Sequence, residues 1–298
     1  MSSTKGYLPH EDRTSTEPRG RQLHSVTIGN ITEVNDETRI FRLNIDDMAN
    51  GVEFLPGQWL DVHFPAIEKA GGYTIISAPG EAAPANTENP QSGTGTSPGP
   101  FLELAVQHAP TDQVQRLWGK DGSVLNMPLK VRVGGSFVWP PPGIDVSSIK
   151  KSIFIAGGVG INPLISIVSH MHDTNSMPEN VHFFYAMRAK EEYKQSNLLS
   201  LPRLLAIAGA RPEQFCLHVF LTGHPSSSLL TSLLDEHRIV HTRRLQSDDL
   251  LETFSQANAT DGTVCYVCGP PAMTDEFVDF LKGLPMLQKE RVLCEKWW

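Results

Sequence analysis

Ser152-Ile153-Phe154-Ile155-Ala156-Gly157-Gly158-Val159-Gly160-Ile161-Asn162-Pro163 is the stretch on which the fold turns. Its apolar run reads as a buried strand. Its glycines then open a helix in which Leu164, Val168 and Met171 recur at spacings of four and three. A second corner of the same kind comes later. There the apolar run 264–267 leads into Cys268-Gly269-Pro270-Pro271-Ala272-Met273 and a helix striped by Met273, Phe277, Phe280, Leu281 and Leu284. Strand–turn–helix corners at the carboxyl ends of parallel strands form the crevice in which open α/β sheets hold nucleotides. Glycine lets the backbone approach a diphosphate, and the helix start supplies N–H groups and the positive end of a dipole. Asn162 reads as the N-cap and Pro163 as the first helical residue. No Gly-Lys-Ser/Thr follows, so the turn is not a P-loop.

Outward from the first corner, apolar runs at 153–156, 181–186, 217–221 and 264–267 alternate with helical segments, as a parallel sheet requires. Upstream of Trp139-Pro140-Pro141-Pro142-Gly143 the rhythm differs. Short runs at 24–31, 39–45, 59–64, 73–77, 101–107 and 129–133 have no convincing helix between them and predict a small antiparallel barrel. The expected fold is therefore a two-domain β plus α/β chain, an N-terminal antiparallel β-barrel followed by a Rossmann-like nucleotide-binding domain. The expected boundaries are a mobile polar tail over 1–21, a barrel over 22–147 with a flexible insertion at 80–100, and the α/β domain over 148–298.

Composition narrows the function. The net charge of -8 over 298 residues, without a Lys/Arg cluster, excludes a nucleic-acid surface. No run approaches the ~18 apolar residues of a membrane span. Residues 1–21 lack an apolar signal core, so the expected compartment is cytoplasmic or mitochondrial rather than secretory. The four cysteines, Cys216, Cys265, Cys268 and Cys294, are too scattered for a disulfide scaffold or an iron–sulfur site. Cys265 and Cys268 spell CxxC, but positions three apart on a strand point to opposite faces. The eleven histidines show no ligand spacing, and no metal site is expected.

Pro56-Gly57-Gln58, Gly72-Tyr73-Thr74-Ile75-Ile76-Ser77, Val131-Arg132-Val133-Gly134-Gly135-Ser136-Phe137, the two corners and the terminal Cys294-Glu295-Lys296-Trp297-Trp298 resemble, in order and spacing, the ferredoxin–NADP reductase family of flavoproteins. The resemblance covers nearly everything from Leu23 onward. It implies a flavin barrel and a nicotinamide-nucleotide domain, with the two rings meeting between them. It places Tyr73 on the flavin ring and Thr74 near the reactive flavin nitrogen, with Ile75, Ser77, Gly135 and Ser136 on the same side. Gly157, Gly158, Val159, Gly160, Ile161, Asn162 and Pro163 would face the dinucleotide, joined by Gly269, Pro270 and Met273, with Cys268 beside the nicotinamide. Trp297 and Trp298 would cover the flavin, and Glu295 would relay protons.

Hydride transfer between two stacked rings needs positioning and dryness rather than a protein nucleophile. The resemblance implies FAD ahead of FMN, and NADH or NADPH as donor, with Arg188 the candidate partner of a ribose phosphate. One departure stands out: family members carry an arginine two residues before the tyrosine, and here that position is Gly71. Arg116, Lys120 and Arg132 are the candidate replacements. The expected activity is an NAD(P)H-dependent flavoprotein reductase serving a separate electron acceptor. The alternative is a nucleotide-binding sensor or assembly factor that carries little or no flavin.

Overall fold

The computed structural model describes residues 9–84, 99–119, 122–234, 238–254 and 262–297. The chain forms two compact units, Met1–Val138 and Trp139–Trp298. Most of the expected insertion, together with Lys120 and Trp298, lies outside the described residues.

The first unit is a six-stranded antiparallel sheet of β1 (His24–Asn35), β2 (Thr38–Ile45), β3 (Trp59–His63), β4 (Gly71–Thr74), β5 (Phe101–Gln107) and β6 (Pro128–Gly134), in the order β4-β3-β6-β1-β2-β5. Alternate residues point inward, so Val26 and Ile28, Phe41 and Leu43, Leu60 and Val62, Leu102 and Leu104, and Val131 and Val133 make one core. Beyond β4 the chain bends across to the far edge. The Ile76 N–H donates to the Glu103 carbonyl at 2.9 Å, and Ile75 forms an isolated bridge with Leu104. The sheet thus curls into a barrel-like shape that no continuous ladder closes. A six-residue helix, α2 (Asp112–Leu117), follows β5, capped by the Thr111 hydroxyl accepting from the Val114 N–H. It corrects the expectation of a helix-free barrel, since so short an element carries too few turns to show periodicity.

The segment before β1 also corrects the expectation of a mobile tail, for the part that is described. A single-turn helix, α1 (His10–Arg13), packs His10 to 6 % exposure, and Arg19 pairs with Gly134. The cause is Asp61, a fully buried carboxylate on β3. His10 Nε2 lies 2.9 Å from one of its oxygens, and Arg19 Nε and an Arg132 amino nitrogen donate to the other at 3.0 and 2.7 Å. Burial alone would raise the Asp61 pKa, but these three partners outweigh it and hold the carboxyl well below its usual range. A buried charge of this kind requires partners, and two of the three come from the N-terminal segment.

The second unit is a six-stranded parallel sheet of β7 (Lys151–Gly157), β8 (Asn180–Ala189), β9 (Phe215–Gly223), β10 (Arg238–His241), β11 (Thr263–Cys268) and β12 (Val292–Cys294), in the order β10-β9-β8-β7-β11-β12. The helices are α3 (Ile161–Asp173), α4 (Leu201–Ala210), α5 (Ser227–Leu233), α6 (Ser247–Phe254) and α7 (Pro271–Gly283). One sheet face buries Ile153, Ile155, Phe184, Phe220, Cys265 and Val267 with Leu250 and Phe254 of α6 and Phe277 and Leu281 of α7. The other face carries a ladder of stacked rings, Phe215, Phe183, Phe154 and Tyr266, with neighbouring centroids 6.1, 5.7 and 5.4 Å apart. The edge strands β10 and β12 are too short to read from sequence. From β7 the chain winds outward through β8 to β10, then returns to lay β11 on the other side of β7. The topological switch point therefore lies between β7 and β11.

Candidate functional site

The two sequence corners meet at that switch point. Cys268, the last residue of β11, pairs with Ala156 of β7, so both strands release their turns side by side. A Cβ on Gly160 would come 2.3 Å from the Cys268 carbonyl oxygen, and one on Gly157 would come 2.5 Å from the Met273 sulfur. These two glycines are required by the packing of one turn on the other. Gly158 differs: its φ is +53°, in the left-handed region, and the space beyond it is open. This open cradle at the start of the thirteen-residue α3, with Val159 exposed beside it, fits a diphosphate approaching free N–H groups.

The helix start departs from expectation by two positions. α3 begins at Ile161 after Gly160, which makes no side-chain cap, so Asn162 and Pro163 are its second and third residues. Pro163 is tolerated there because first-turn N–H groups lack helical partners in any case. Beneath the turn, the buried Tyr185 hydroxyl donates to the Leu199 carbonyl at 3.0 Å and lies 3.4 Å from that of Gly158. On the second corner, the Thr274 hydroxyl donates to the Gly269 carbonyl at 3.1 Å. Neither anchor carries a motif that sequence reading could have used.

Cys268 is 1 % exposed, and its thiol is pushed well above its ordinary pKa by burial first, then by Glu295 and Cys294. It is therefore a neutral, small, polarizable group at a strand end rather than a thiolate. The Glu295 N–H donates to the Val267 carbonyl at 3.3 Å and seats Glu295 next to Cys268. The Trp297 indole N–H donates to the Glu295 carboxylate at 3.1 Å, and Lys296 bridges to Asp275 of α7. Gly157, Gly158, Gly160, Cys268, Gly269, Pro270, Met273, Glu295 and Trp297 are thus brought to one end of the sheet. Arg188 lies exposed near the end of β8, opposite Thr222 on β9 and two positions beyond the pair of Gly157 with Ala186.

The barrel residues form a different picture. Tyr73 pairs with Leu60 and so shares the core face of the sheet, its ring 6.5 Å from that of Phe64. A Cβ on Gly71 would fall 2.6 Å from the Tyr73 ring, so the tyrosine lies over the position where an arginine would begin. Burial pushes the Tyr73 phenol pKa up. Thr74 is buried opposite Trp59, and Ile75 is core. The Ser77 hydroxyl accepts from the Glu103 N–H at 3.1 Å. The Gly135 N–H donates to Pro18, its carbonyl accepts from Gln58, and the Ser136 hydroxyl donates to Glu17 at 2.6 Å. The barrel side chains expected to hold a flavin are therefore largely engaged with protein partners, and Tyr73 is half-buried. The candidate cations are engaged too: Arg132 is bound to Asp61, and Arg116 donates to Ser123 at 3.2 Å.

Comparison with known proteins agrees with this architecture. The family model for an oxidoreductase NAD-binding domain matches residues 154–279, which span both corners. The Xenopus laevis protein named oxidoreductase NAD-binding domain-containing protein 1 is 30 % identical, over 100 % of this chain and 86 % of its own length. Among solved structures, the cytochrome b5 reductase domain of Ulva prolifera nitrate reductase superimposes with a TM-score of 0.65 at 15 % identity, covering 92 % of this chain and 98 % of that one. A ferredoxin NADP+ reductase from Neisseria gonorrhoeae, solved with bound FAD and NADP, superimposes with a TM-score of 0.58 at 13 % identity, over 93 % and 99 % of the two chains. At such identities these structures establish the two-domain reductase fold. With its paired glycine corners at the switch point and its full-length relatives, the chain belongs to the oxidoreductase NAD-binding domain-containing protein 1 family.

Proposed function

We propose that the protein is an NAD(P)H-dependent reductase of the flavoprotein type, serving an electron acceptor on a separate molecule. The observation that carries the reading is the junction of β7–α3 with β11–α7, where an open left-handed glycine precedes a long helix and a small neutral cysteine ends the adjacent strand. When bound, the dihydronicotinamide and flavin supply hydride-transfer chemistry of their own. The chain's residues bind, orient and exclude water. Gly158 and the start of α3 receive the diphosphate, while Cys268 and Gly269 border the nicotinamide. Glu295, whose carboxylate accepts from the Trp297 indole, carries the proton in this reading. Tyr73 offers a ring surface to the isoalloxazine, with Thr74 following it.

A second reading rests on the barrel. Tyr73 over Gly71, Ser77 on Glu103 and Ser136 on Glu17 leave few free groups for a flavin, which favours a nucleotide-responsive protein of low flavin content. An absorption spectrum of the purified protein, taken before and after anaerobic NADH, separates the two. A flavin spectrum that bleaches on addition of NADH supports the reductase. A colourless protein whose melting temperature still rises with NADH or NADPH supports the second reading. Neither flavin absorbance nor nucleotide-dependent stabilisation would overturn both.

A further inference from the structure

At the amino-terminal end of the parallel sheet, away from the glycine corners, three ligand-type side chains converge. His182 of β8 pairs with Cys216 of β9, and His218, two residues along β9, pairs with Phe184. All three therefore point to the α6–α7 face. His182 Nδ1 lies 3.2 Å from His218 Nε2, the Cys216 sulfur lies 3.3 Å from the same nitrogen, and the three donor atoms all fall within 4.8 Å of one another. We propose that His182, Cys216 and His218 form a binding site for a borderline-soft divalent cation of the zinc class.

The argument is geometric. A tetrahedral zinc with Zn–N of ~2.0–2.1 Å and Zn–S of ~2.3 Å spaces its ligand atoms ~3.3–3.6 Å apart. The two separations to His218 Nε2, 3.2 and 3.3 Å, lie just below and at the short end of that range, so the ion enters with a small outward shift of these side chains. The ring of His218 is preset by stacking on Phe184 at 4.2 Å between centroids and 12° between planes. The chemistry suits the same class, because one thiolate and two imidazoles prefer zinc to magnesium or calcium. His182 and Cys216 are half-buried and His218 is buried, which gives an entry side and a closed side. Lys151, on the same sheet face, directs its ammonium to the Thr253 carbonyl. Its charge opposes a cation and the cysteine thiolate offsets it. Three protein ligands leave the fourth position to water. From His182 to Ala186, at the level of the nucleotide corner, is four strand residues, or roughly 13 Å, so this site does not rest on the reductase reading.

The test uses the full-length chain, reduced and stripped with chelator, and Co2+ as the spectroscopic probe. The expected result is one Co2+ per chain, with a near-ultraviolet thiolate-to-cobalt charge-transfer band that Zn2+ abolishes. C216S should lose the band and weaken Zn2+ binding by about 100-fold or more, and H182Q should weaken it by about 10- to 100-fold. C294S, which alters the other half-buried cysteine, should leave both unchanged. If C216S fails to fold, H182Q decides the matter, since its position is half-buried and tolerates a polar amide. Absence of a thiolate band in the wild type, an unchanged spectrum in C216S, loss of the band in C294S, or full Zn2+ affinity in H182Q would each overturn the proposal. Stoichiometric Zn2+ should also raise the melting temperature of the wild type and not of C216S.

Discussion

The glycine corners of the second unit and the Gly71–Ser77 segment of the first are both motif-bearing strand ends, yet they are built in opposite ways. At the corners, main chain packs on main chain where Gly160 lies under the Cys268 carbonyl and Gly269 against Gly157, with the Met273 side chain over Gly157, while Gly158 stays open. In the barrel, ring side chains cover the glycines, with Tyr73 over Gly71 and His10 over Gly72. Sites made from backbone are preset by the turn itself, whereas sites made from side chains depend on which partner claims each group first.

Four perturbations break or sharpen that contrast. The largest effect is expected from Gly160→Val, whose Cβ must displace a carbonyl rather than a flexible side chain. It should lower stability by about 3 kcal/mol and abolish nucleotide-dependent stabilisation, read by thermal melts with and without NADH. A variant that still gains stability from NADH would remove the corner from the binding site.

Asp61→Asn comes next. It leaves Arg19 and Arg132 without their buried counter-charge and should cost roughly 3 kcal/mol, with proteolytic opening of residues 9–21. The same carboxylate gives the wild type a pH signature. Because its folded-state pKa is depressed, its contribution is fully present above the unfolded value of about 4 and is lost as pH falls from there toward the folded value. Chemical denaturation across the acid range should show this slope in the wild type and a weaker one in Asp61→Asn.

Tyr73→Ala should release flavin while sparing nucleotide binding, and it should cost roughly 2 kcal/mol because the ring is only partly packed on the core. Full flavin occupancy in this variant would remove Tyr73 from the cofactor site. The smallest effect is expected from Cys268→Ser, which keeps the size and neutrality of the group. Stopped-flow reduction of bound flavin by NADH should slow by about tenfold, equivalent to about 1.4 kcal/mol, with a smaller change in NADH affinity. The reverse ranking would place Cys268 away from the nicotinamide.

The strand–turn–helix units were legible because each is encoded by contiguous residues. Apolar runs gave β7, β8, β9 and β11, and the glycines gave the turns between strand and helix. The four-residue β10, three-residue β12 and six-residue α2 were not legible, since elements so short carry too little periodicity. Residues 9–21 read as a tail because their composition is polar, and nothing in the linear order connects His10 and Arg19 with Asp61 on β3. The His182, Cys216 and His218 cluster was invisible for a related reason: parallel pairing of β8 with β9 sets side by side residues that lie far apart along the chain.

What the sequence determined by itself was the succession of a β unit and an α/β unit, and the two glycine-rich turns between strand and helix, because strand periodicity and glycine conformational freedom are local properties. Tertiary structure alone decided that those turns abut at the switch point, that the tyrosine covers the place of the missing arginine, and that a buried carboxylate gathers its three partners. Those outcomes depend on strand order, pairing register and the cost of burying charge, which appear only once distant segments share the same space.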